Sequence, residues 1–180
     1  GKVAAITAKN AFSTLTRKEV DKLTEFVRGI GAKGLAWARI GEDGTVASSF
    51  AKFMTEDEMK AIMAKCGAEN GDVILIVADK ASTTLSVLGA LRQTVAKKLD
   101  IIPQDKYNLL WVVEFPFFDW DEELGQYVAM HHPFTAPLEE CLDYLETDKA
   151  KVRANAYDLV LNGIELASGS IRITNPDLQK

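Results

Sequence analysis

Twelve residues near the end of the chain, NGIELASGSIRI (162–173), combine two charged side chains with a run of small ones. Glu165 precedes the small residues Ala167 to Ser170, and Arg172 follows them. Small side chains stabilise a strand poorly, so a run of them needs another explanation. One explanation is that another molecule approaches the backbone closely at this point. Arginine holds a carboxylate or a phosphate by two parallel hydrogen bonds, and a carboxylate beside a phosphate requires a cation, usually Mg²⁺. The stretch therefore favours a site for an anionic ligand.

The spacing of these two charges leaves a second interpretation open. Glu165 and Arg172 are seven residues apart, and an odd separation places two side chains on opposite faces of a regular strand. A bulge, for which Gly169 is a suitable residue, would bring them to one face. The alternative is an ion pair on the protein surface.

His131 and His132, in the string HHPFT, are the only histidines of the sequence. Adjacent strand residues point to opposite faces, so a metal shared by the two imidazoles is disfavoured. No HExxH motif or cysteine cluster supplies the further ligands that zinc requires. Two interpretations remain: the imidazoles present hydrogen-bond donors to a bound anion, or they cap a strand end before Pro133.

The composition is that of an ordinary globular protein, with 180 residues, 47% of them hydrophobic and 26% charged. No apolar run reaches the roughly 18 residues of a membrane span, and GKVAAITAKN does not have the form of a signal peptide. Cys66 and Cys141 form no CxxC motif. They predict two buried, reduced thiols in a cytoplasmic protein.

Charge is distributed unevenly along the chain. Residues 1–103 contain 15 basic and 12 acidic side chains, a net charge of +3, whereas residues 104–180 contain 6 and 14, a net charge of −8. Such a shift predicts two units, and the proline-containing stretch 100–108 is the expected boundary. A net charge of +3 does not by itself indicate nucleic-acid binding.

The first unit alternates apolar strands with capped amphipathic helices. The predicted elements are strand 3–8, a helix with a capping box of Thr16 and Glu19, a hairpin of 35–40 and 45–50, a helix with a capping box of Thr55 and Glu58, a buried strand 72–78, and a helix over 82–99 whose apolar face is Leu85, Leu88, Leu91, Val95 and Leu99. Their order predicts a compact α+β layer.

The second unit reads as two hairpins. One pairs strand 109–115 with residues 128–130 through a long acidic tip, and the other, over 157–173, turns at Asn162-Gly163. Two-stranded ribbons need a further layer to bury their faces. The sequence therefore suggests that this unit belongs with more structure than it contains.

Two long strings, WVVEFPFFDWDEELGQYVAMHHPFT and KVRANAYDLVLNGIELASGSIRI, closely resemble the bacterial type of aspartyl-tRNA synthetase. In residues 1–103, TRKEVDKLTEF, GAKGLAWARI, ENGDVILIVADK and LGALRQTVAKKL resemble the GAD domain, which that family inserts in its class II catalytic core. The resemblance implies an α+β protein. A two-layer GAD domain, an antiparallel sheet with helices, occupies 1–103, and antiparallel strands of a partial class II core occupy 104–180. The anticodon-binding barrel and the three class II motifs are not in the sequence, which implies a segment of a longer enzyme.

The same resemblance assigns roles to four residues. It places His131 in the aspartate pocket with His132 beside it, and Arg172 on the side-chain carboxylate of the substrate. It places Glu165 at ATP, through Mg²⁺. No side chain of this segment is implied to be catalytic.

The small-residue strand is implied to form the floor beneath the aspartyl adenylate, where bulky side chains would displace the ligand. The sequence departs from the family pattern at Ala167 and Ser168, where glycines are common, and at Thr174, where histidine is frequent. Alanine and serine are small enough to keep this floor.

The function implied for the parent protein is that of a cytoplasmic, homodimeric ligase. It joins aspartate to ATP, with Mg²⁺, and then transfers it to tRNA(Asp), and the isolated segment is expected to be inactive. The alternative is a non-catalytic GAD-type recognition or structural module, as in subunits of tRNA-dependent amidotransferases. Those subunits are expected to lack the HHPFT and GSIRI strings.

Overall fold

The computed structural model describes residues 1–179, which form two compact units, Gly1–Pro103 and the residues from Gln104 onward. The first unit is built on a four-stranded antiparallel sheet. Its strands are β1 (Lys2–Ala8), β2 (Ala36–Ile40), β3 (Val46–Ser48) and β4 (Val73–Asp79), in the order β1-β4-β2-β3.

The central strand β4 explains the continuous apolar run in the sequence. Val73, Leu75 and Val77 point to one face of the sheet and Ile74 to the other, and each is at most 1% exposed. A strand buried on both faces needs apolar residues at every position. The predicted buried strand is therefore confirmed.

Three helices cover the sheet of the first unit, namely α1 (Arg17–Gly29), α2 (Glu56–Lys65) and α3 (Ala81–Lys98). The apolar sides of α1 and α3 pack on one face in the larger core cluster. Met63 of α2 and Cys66 pack on the other face, against Ile40 and Ile74. Cys141 is buried as predicted, but Cys66 is only partly buried because it packs at the edge of this smaller cluster. The antiparallel sheet with helices that the sequence predicts is confirmed.

The capping box predicted for α2 is present, whereas the box predicted for α1 is only half formed. Thr55 accepts a hydrogen bond from the backbone of Glu58, whose carboxylate accepts one from Thr55 N at 2.8 Å. In α1, Thr16 accepts from the backbone of Glu19, but the Glu19 carboxylate accepts hydrogen bonds from Lys22 and Lys98 instead of reaching back. These lysines lower the pKa of Glu19 to about 2.

The predicted apolar face of α3 is wrong at Leu85, which is 54% exposed. The neighbouring Thr84 is fully buried instead. Its hydroxyl donates to the carbonyl of Lys2 and accepts from the N–H of Asp79, so it satisfies backbone groups of β1 and β4. A hydroxyl that satisfies two buried backbone groups can occupy a core position.

Asp72 is a second buried polar residue of this unit, at 1% exposure. Its carboxylate pairs with the Lys9 ammonium at 2.9 Å and accepts from the backbone N–H groups of Asn10 and Glu69. Burial alone would raise the pKa of Asp72, but the hydrogen bonds, that from Lys9 foremost, hold it below its ordinary value. Asp72 therefore fastens the segments after β1 and before β4 together.

The second unit contains a three-stranded antiparallel sheet and a separate hairpin. The sheet comprises β5 (Leu109–Val113), β8 (Ala156–Leu161) and β9 (Ile164–Ser170), in the order β5-β8-β9, and the hairpin comprises β6 (Phe118–Asp121) and β7 (Gln126–Ala129). Short 3₁₀ turns at Ala51–Phe53, Glu139–Tyr144 and Lys149–Lys151, and a helix α4 (Pro176–Gln179), complete the elements.

The predicted pairing of 109–115 with 128–130 is wrong, because β5 pairs with β8 and β7 pairs with β6. The acidic stretch closes a tight local turn. The Asp121 carboxylate accepts from the N–H groups of Glu123 and Leu124, and Gly125 takes a φ of +62°. The chain therefore reverses within 118–129, and β5 is left to pair with β8.

The hairpin predicted at Asn162-Gly163 is confirmed. Both residues have positive φ, +49° and +84°, as a two-residue turn between twisted strands requires. The Asn162 side chain also accepts from Asn108 N at 2.9 Å and donates to the Lys106 carbonyl at 2.8 Å. The turn of one hairpin thus holds the start of β5.

Apolar residues of β5 remain largely exposed within the described chain. Leu109, Trp111 and Val113 are 62%, 60% and 54% exposed, although Trp111 meets the Tyr157 ring edge-on at 5.8 Å. A sheet with such faces is typical of a unit that further structure covers. Among the described residues, no helix is long and apolar enough to cross a membrane.

Candidate functional site

A β-bulge in β9 sets the geometry of the candidate site. Leu159 pairs with Ala167 but the next residue, Val160, pairs with Glu165, so Leu166 is an extra residue. The bulge lies at Leu166 and not at Gly169, where the sequence suggested it. Because one extra residue reverses the alternation of the strand, the odd spacing of Glu165 and Arg172 becomes compatible with one face.

An open cleft of about 420 Å³ in the second unit contains all four residues singled out in the sequence. His131, His132, Glu165 and Arg172 line it, together with Asp158 and Ser168. The four residues come from a loop that follows β7 and from the strand and extension of β9. The structure therefore brings them together around one volume.

The surface ion pair considered for Glu165 and Arg172 is absent. Within the described residues, no salt bridge or hydrogen bond joins these two side chains. The Arg172 guanidinium instead lies over the Phe134 ring, with its Cζ atom 4.5 Å from the ring centroid. Its N–H groups are left available to a ligand.

The two histidines have different surroundings. His131 Nε2 lies 3.1 Å from the carbonyl oxygen of Pro116, and because a carbonyl only accepts, Nε2 carries the proton. The His132 ring contacts Phe134 at a centroid distance of 3.5 Å. Over residues 1–179, no three His, Cys, Asp or Glu side chains lie close enough together to hold a metal by themselves.

Backbone hydrogen bonds fix the histidine loop against the extension of β9. Ile173 N donates to the Phe134 carbonyl at 2.9 Å, and Thr135 forms a β-bridge with Arg172. The Thr135 hydroxyl, 2% exposed as a residue, lies 3.3 Å from the hydroxyl of Ser170. This pairing places a short loop beside a strand and keeps the two sets of side chains in one cleft.

Gly169 is small for a reason that the sequence did not reveal. A Cβ atom added at Gly169 would come 2.8 Å from the ring of Tyr157, its cross-strand partner. Tyr157 contacts Trp111, on the face that the alternation of β8 separates from Asp158. The Tyr157 ring therefore occupies the space that a side chain at Gly169 would need, and Gly169 lines the cleft together with Ser168 and Ser170.

Asp158 is a residue that the sequence reasoning missed. It lies on β8 directly opposite Ser168 and lines the same cleft as Glu165. The available signal was a carboxylate at an alternating position of the apolar strand YDLVL. The cleft is thus lined by two carboxylates, one guanidinium and two imidazoles.

Comparison with known proteins gives consistent matches over the whole chain. Residues 1–88 match the family model of the GAD domain. The chain is 52% identical over 179 residues to the aspartate–tRNA ligase of Ruminiclostridium cellulolyticum, covering 99% of this chain and 30% of that protein. It is 50% identical to the aspartate–tRNA(Asp/Asn) ligase of Lachnoclostridium phytofermentans and 53% identical to the aspartate–tRNA ligase of Clostridium botulinum strain Kyoto, in each case over all 180 residues and 30% of the relative. The chain spans about a third of the length of these relatives.

Proposed function

We propose, from the membership of this chain in the bacterial aspartate–tRNA ligase family, that its second unit supplies part of the site at which aspartate is activated with ATP. The observation that carries the proposal is the bulge at Leu166, which makes a cleft shared by Glu165 and Arg172 possible. The whole enzyme would then transfer the activated aspartate to tRNA(Asp), as a homodimer in the cytoplasm.

Arg172 is suited to bind the side-chain carboxylate of aspartate. Its guanidinium has no carboxylate partner among the described residues and lies in the cleft with His131 and His132. A planar guanidinium binds a carboxylate through two parallel hydrogen bonds, which fixes orientation as well as charge. Asparagine, with one oxygen and one NH₂ group, would match only half of this fork, so Arg172 would favour aspartate.

Glu165 and Asp158 are suited to hold Mg²⁺ together with ATP. Both side chains line the cleft from neighbouring strands and supply hard oxygen ligands. Mg²⁺ in nucleotide sites is usually bound by one or two carboxylates, with phosphate oxygens and water as the remaining ligands. The donor set of this chain fits that pattern. The bound ion would neutralise the charge of the phosphates.

The reaction requires positioning more than proton transfer. A carboxylate oxygen of the aspartate α-carboxyl group attacks the α-phosphorus of ATP, a new O–P bond forms, and the bond to pyrophosphate breaks. No proton moves in this step, so no general acid or base is required of the cleft. Arg172 and the histidines would orient the amino acid, and the two carboxylates would orient the nucleotide end.

The alternative function is a non-catalytic GAD-type recognition or structural module. It accounts for the match over residues 1–88. It leaves the polar cleft of the second unit, with its free guanidinium, without a role. We therefore favour the ligase, with the GAD domain as one of its parts.

A segment exchange tests the proposal. In a chimeric ligase, this chain replaces the matching 30% of the Ruminiclostridium cellulolyticum enzyme. We expect aspartate-dependent exchange of pyrophosphate into ATP by the chimera, and none by the isolated chain. A chimera with native-like circular dichroism and gel-filtration behaviour but without exchange activity would refute the proposal, and the unmodified enzyme serves as the control.

A further inference from the structure

Phe134 contacts two of the three side chains that we assign to aspartate. The Arg172 Cζ atom lies 4.5 Å from the centre of its ring, and the His132 ring centre lies at 3.5 Å. Phe134 is itself 41% exposed, so it contributes less to a core than a buried phenylalanine does. Its position therefore calls for an explanation other than core packing.

The guanidinium of Arg172 has no other side-chain restraint in the described residues. No carboxylate pairs with it, and no side-chain hydrogen bond reaches it. A free arginine side chain has large rotamer freedom, and ordering it on binding reduces affinity. A contact that limits this freedom in advance would strengthen binding.

An aromatic face restrains a guanidinium without using its hydrogen-bond donors. The attraction between a cation and the ring quadrupole acts on the flat side of the guanidinium, whereas the N–H groups radiate in its plane. The Phe134 carbonyl accepts from Ile173 N at 2.9 Å, so the ring and the arginine are also joined through the backbone. The Phe134 ring and the Arg172 guanidinium are thus held together by a side-chain contact and by a neighbouring backbone hydrogen bond.

We propose that Phe134 is a positioning residue that holds Arg172 ready for the aspartate carboxylate. The inference rests on the proposed function, since it assumes that Arg172 binds this carboxylate. It assigns to Phe134 no contact with substrate. Its effect should fall on the amino-acid side of the cleft, because the two side chains that its ring contacts, Arg172 and His132, are both assigned to aspartate.

Substitution of the ring tests the proposal in the chimeric ligase. Phe134→Leu should raise the KM for aspartate about 3- to 30-fold, the range of a cation–π contact, and leave the KM for ATP within about twofold. Phe134→Tyr should restore the aspartate KM. Phe53→Leu is the matched control, because Phe53 is 70% exposed and lies under Lys52 at 4.8 Å in the first unit. It should change neither constant.

Fluorination of the Phe134 ring provides a second test that preserves its shape. Replacing Phe134 by mono- and trifluorophenylalanine weakens the ring quadrupole stepwise, so the aspartate KM should rise stepwise, even if Phe134→Leu does not fold. An aspartate KM that ignores fluorination, or a loss shared equally by aspartate and ATP, would overturn the positioning role. If Arg172→Lys also left the aspartate KM unchanged, the proposed function would fail instead, which separates the two failures.

Discussion

Tyr157 lies directly across the ladder from Gly169, and its ring occupies the volume that a Cβ atom at Gly169 would need, at 2.8 Å. This cross-strand relationship gives a steric reason for the glycine on the face of the strand that carries Tyr157. The same face of the sheet carries the edge-on contact between Trp111 of β5 and Tyr157 of β8.

Gly169→Ala should destabilise the second unit by about 1–3 kcal/mol, because the ring must move or the strand must bend. Urea unfolding followed by near-ultraviolet circular dichroism, to which the Trp111–Tyr157 pair contributes, would measure this loss of stability. Adding Tyr157→Leu should recover part of the loss. Gly89→Ala is the control, since no atom lies within 4 Å of a Cβ there and a helical alanine is favourable.

Arg172→Lys in the chimeric ligase should reduce the efficiency of aspartate activation about tenfold to a hundredfold. Lysine keeps the charge but replaces a planar fork with one mobile ammonium, so orientation is lost. Pyrophosphate exchange with each substrate varied in turn should locate the loss in aspartate and not in ATP. Arg92→Lys, on the exposed side of α3, should have no effect. An aspartate efficiency within twofold of the unchanged chimera would make Arg172 a structural residue.

Glu165→Gln and Asp158→Asn should each raise the Mg²⁺ concentration needed for half-maximal exchange, by about tenfold or more. An amide keeps the shape of the side chain but loses the charge that holds the ion. The KM for aspartate should change much less than that for ATP. Glu140→Gln, an exposed acid of the same unit, controls for net charge. Equal effects of all three variants would contradict a specific magnesium site.

Asp72→Asn should lower the stability of the first unit by about 2–4 kcal/mol at pH 7, since it removes a buried charge with three hydrogen-bond donors around it. The folded pKa of Asp72 is lowered, so its stabilising contribution is complete above the unfolded pKa of about 3.9. It is lost as pH falls through the lower folded value.

Amide hydrogen exchange of β4 at neutral pH and below pH 4 would measure this dependence. The wild-type protein should lose stability on acidification more steeply than Asp72→Asn does. Asp100→Asn is a suitable control, because Asp100 is exposed and its φ of +53° suits asparagine. Equal acid sensitivity of the wild type and Asp72→Asn would show that other carboxylates dominate.

Local features of the fold could be predicted from the sequence because local interactions determine them. The cap at Thr55, the buried strand β4 and the turn at Asn162-Gly163 each depend on residues within a few positions. Leu85 shows the limit of such reasoning. The apolar spacing predicted that Leu85 is buried, but the buried residue is Thr84, whose hydrogen-bond partners lie on β1 and β4.

Features that depend on distant parts of the chain could not be predicted. The pairing of β5 with β8 joins residues 44 (Val113 and Tyr157) to 52 (Leu109 and Leu161) positions apart, whereas the hairpin of β6 and β7 forms locally around the turn at Asp121. Glu19 likewise bonds Lys98 of α3 instead of its own helix end. Asp158 could not be assigned to the cleft from the sequence, because its neighbours in sequence are apolar and its partner Ser168 lies on another strand.

Because of the bulge at Leu166, the faces to which the side chains of β9 point depend on the number of residues in the strand more than on their types. Loss or gain of a single residue between Glu165 and Arg172 would exchange inside for outside along the rest of the strand, whereas a change of side chain leaves this order intact. Substitutions at Ala167 and Ser168 keep the count of residues in the strand, so they leave the alternation intact. A mutational scan of this segment should find deletions far more damaging than small substitutions. The number of residues in the segment is therefore under stricter constraint than their identity.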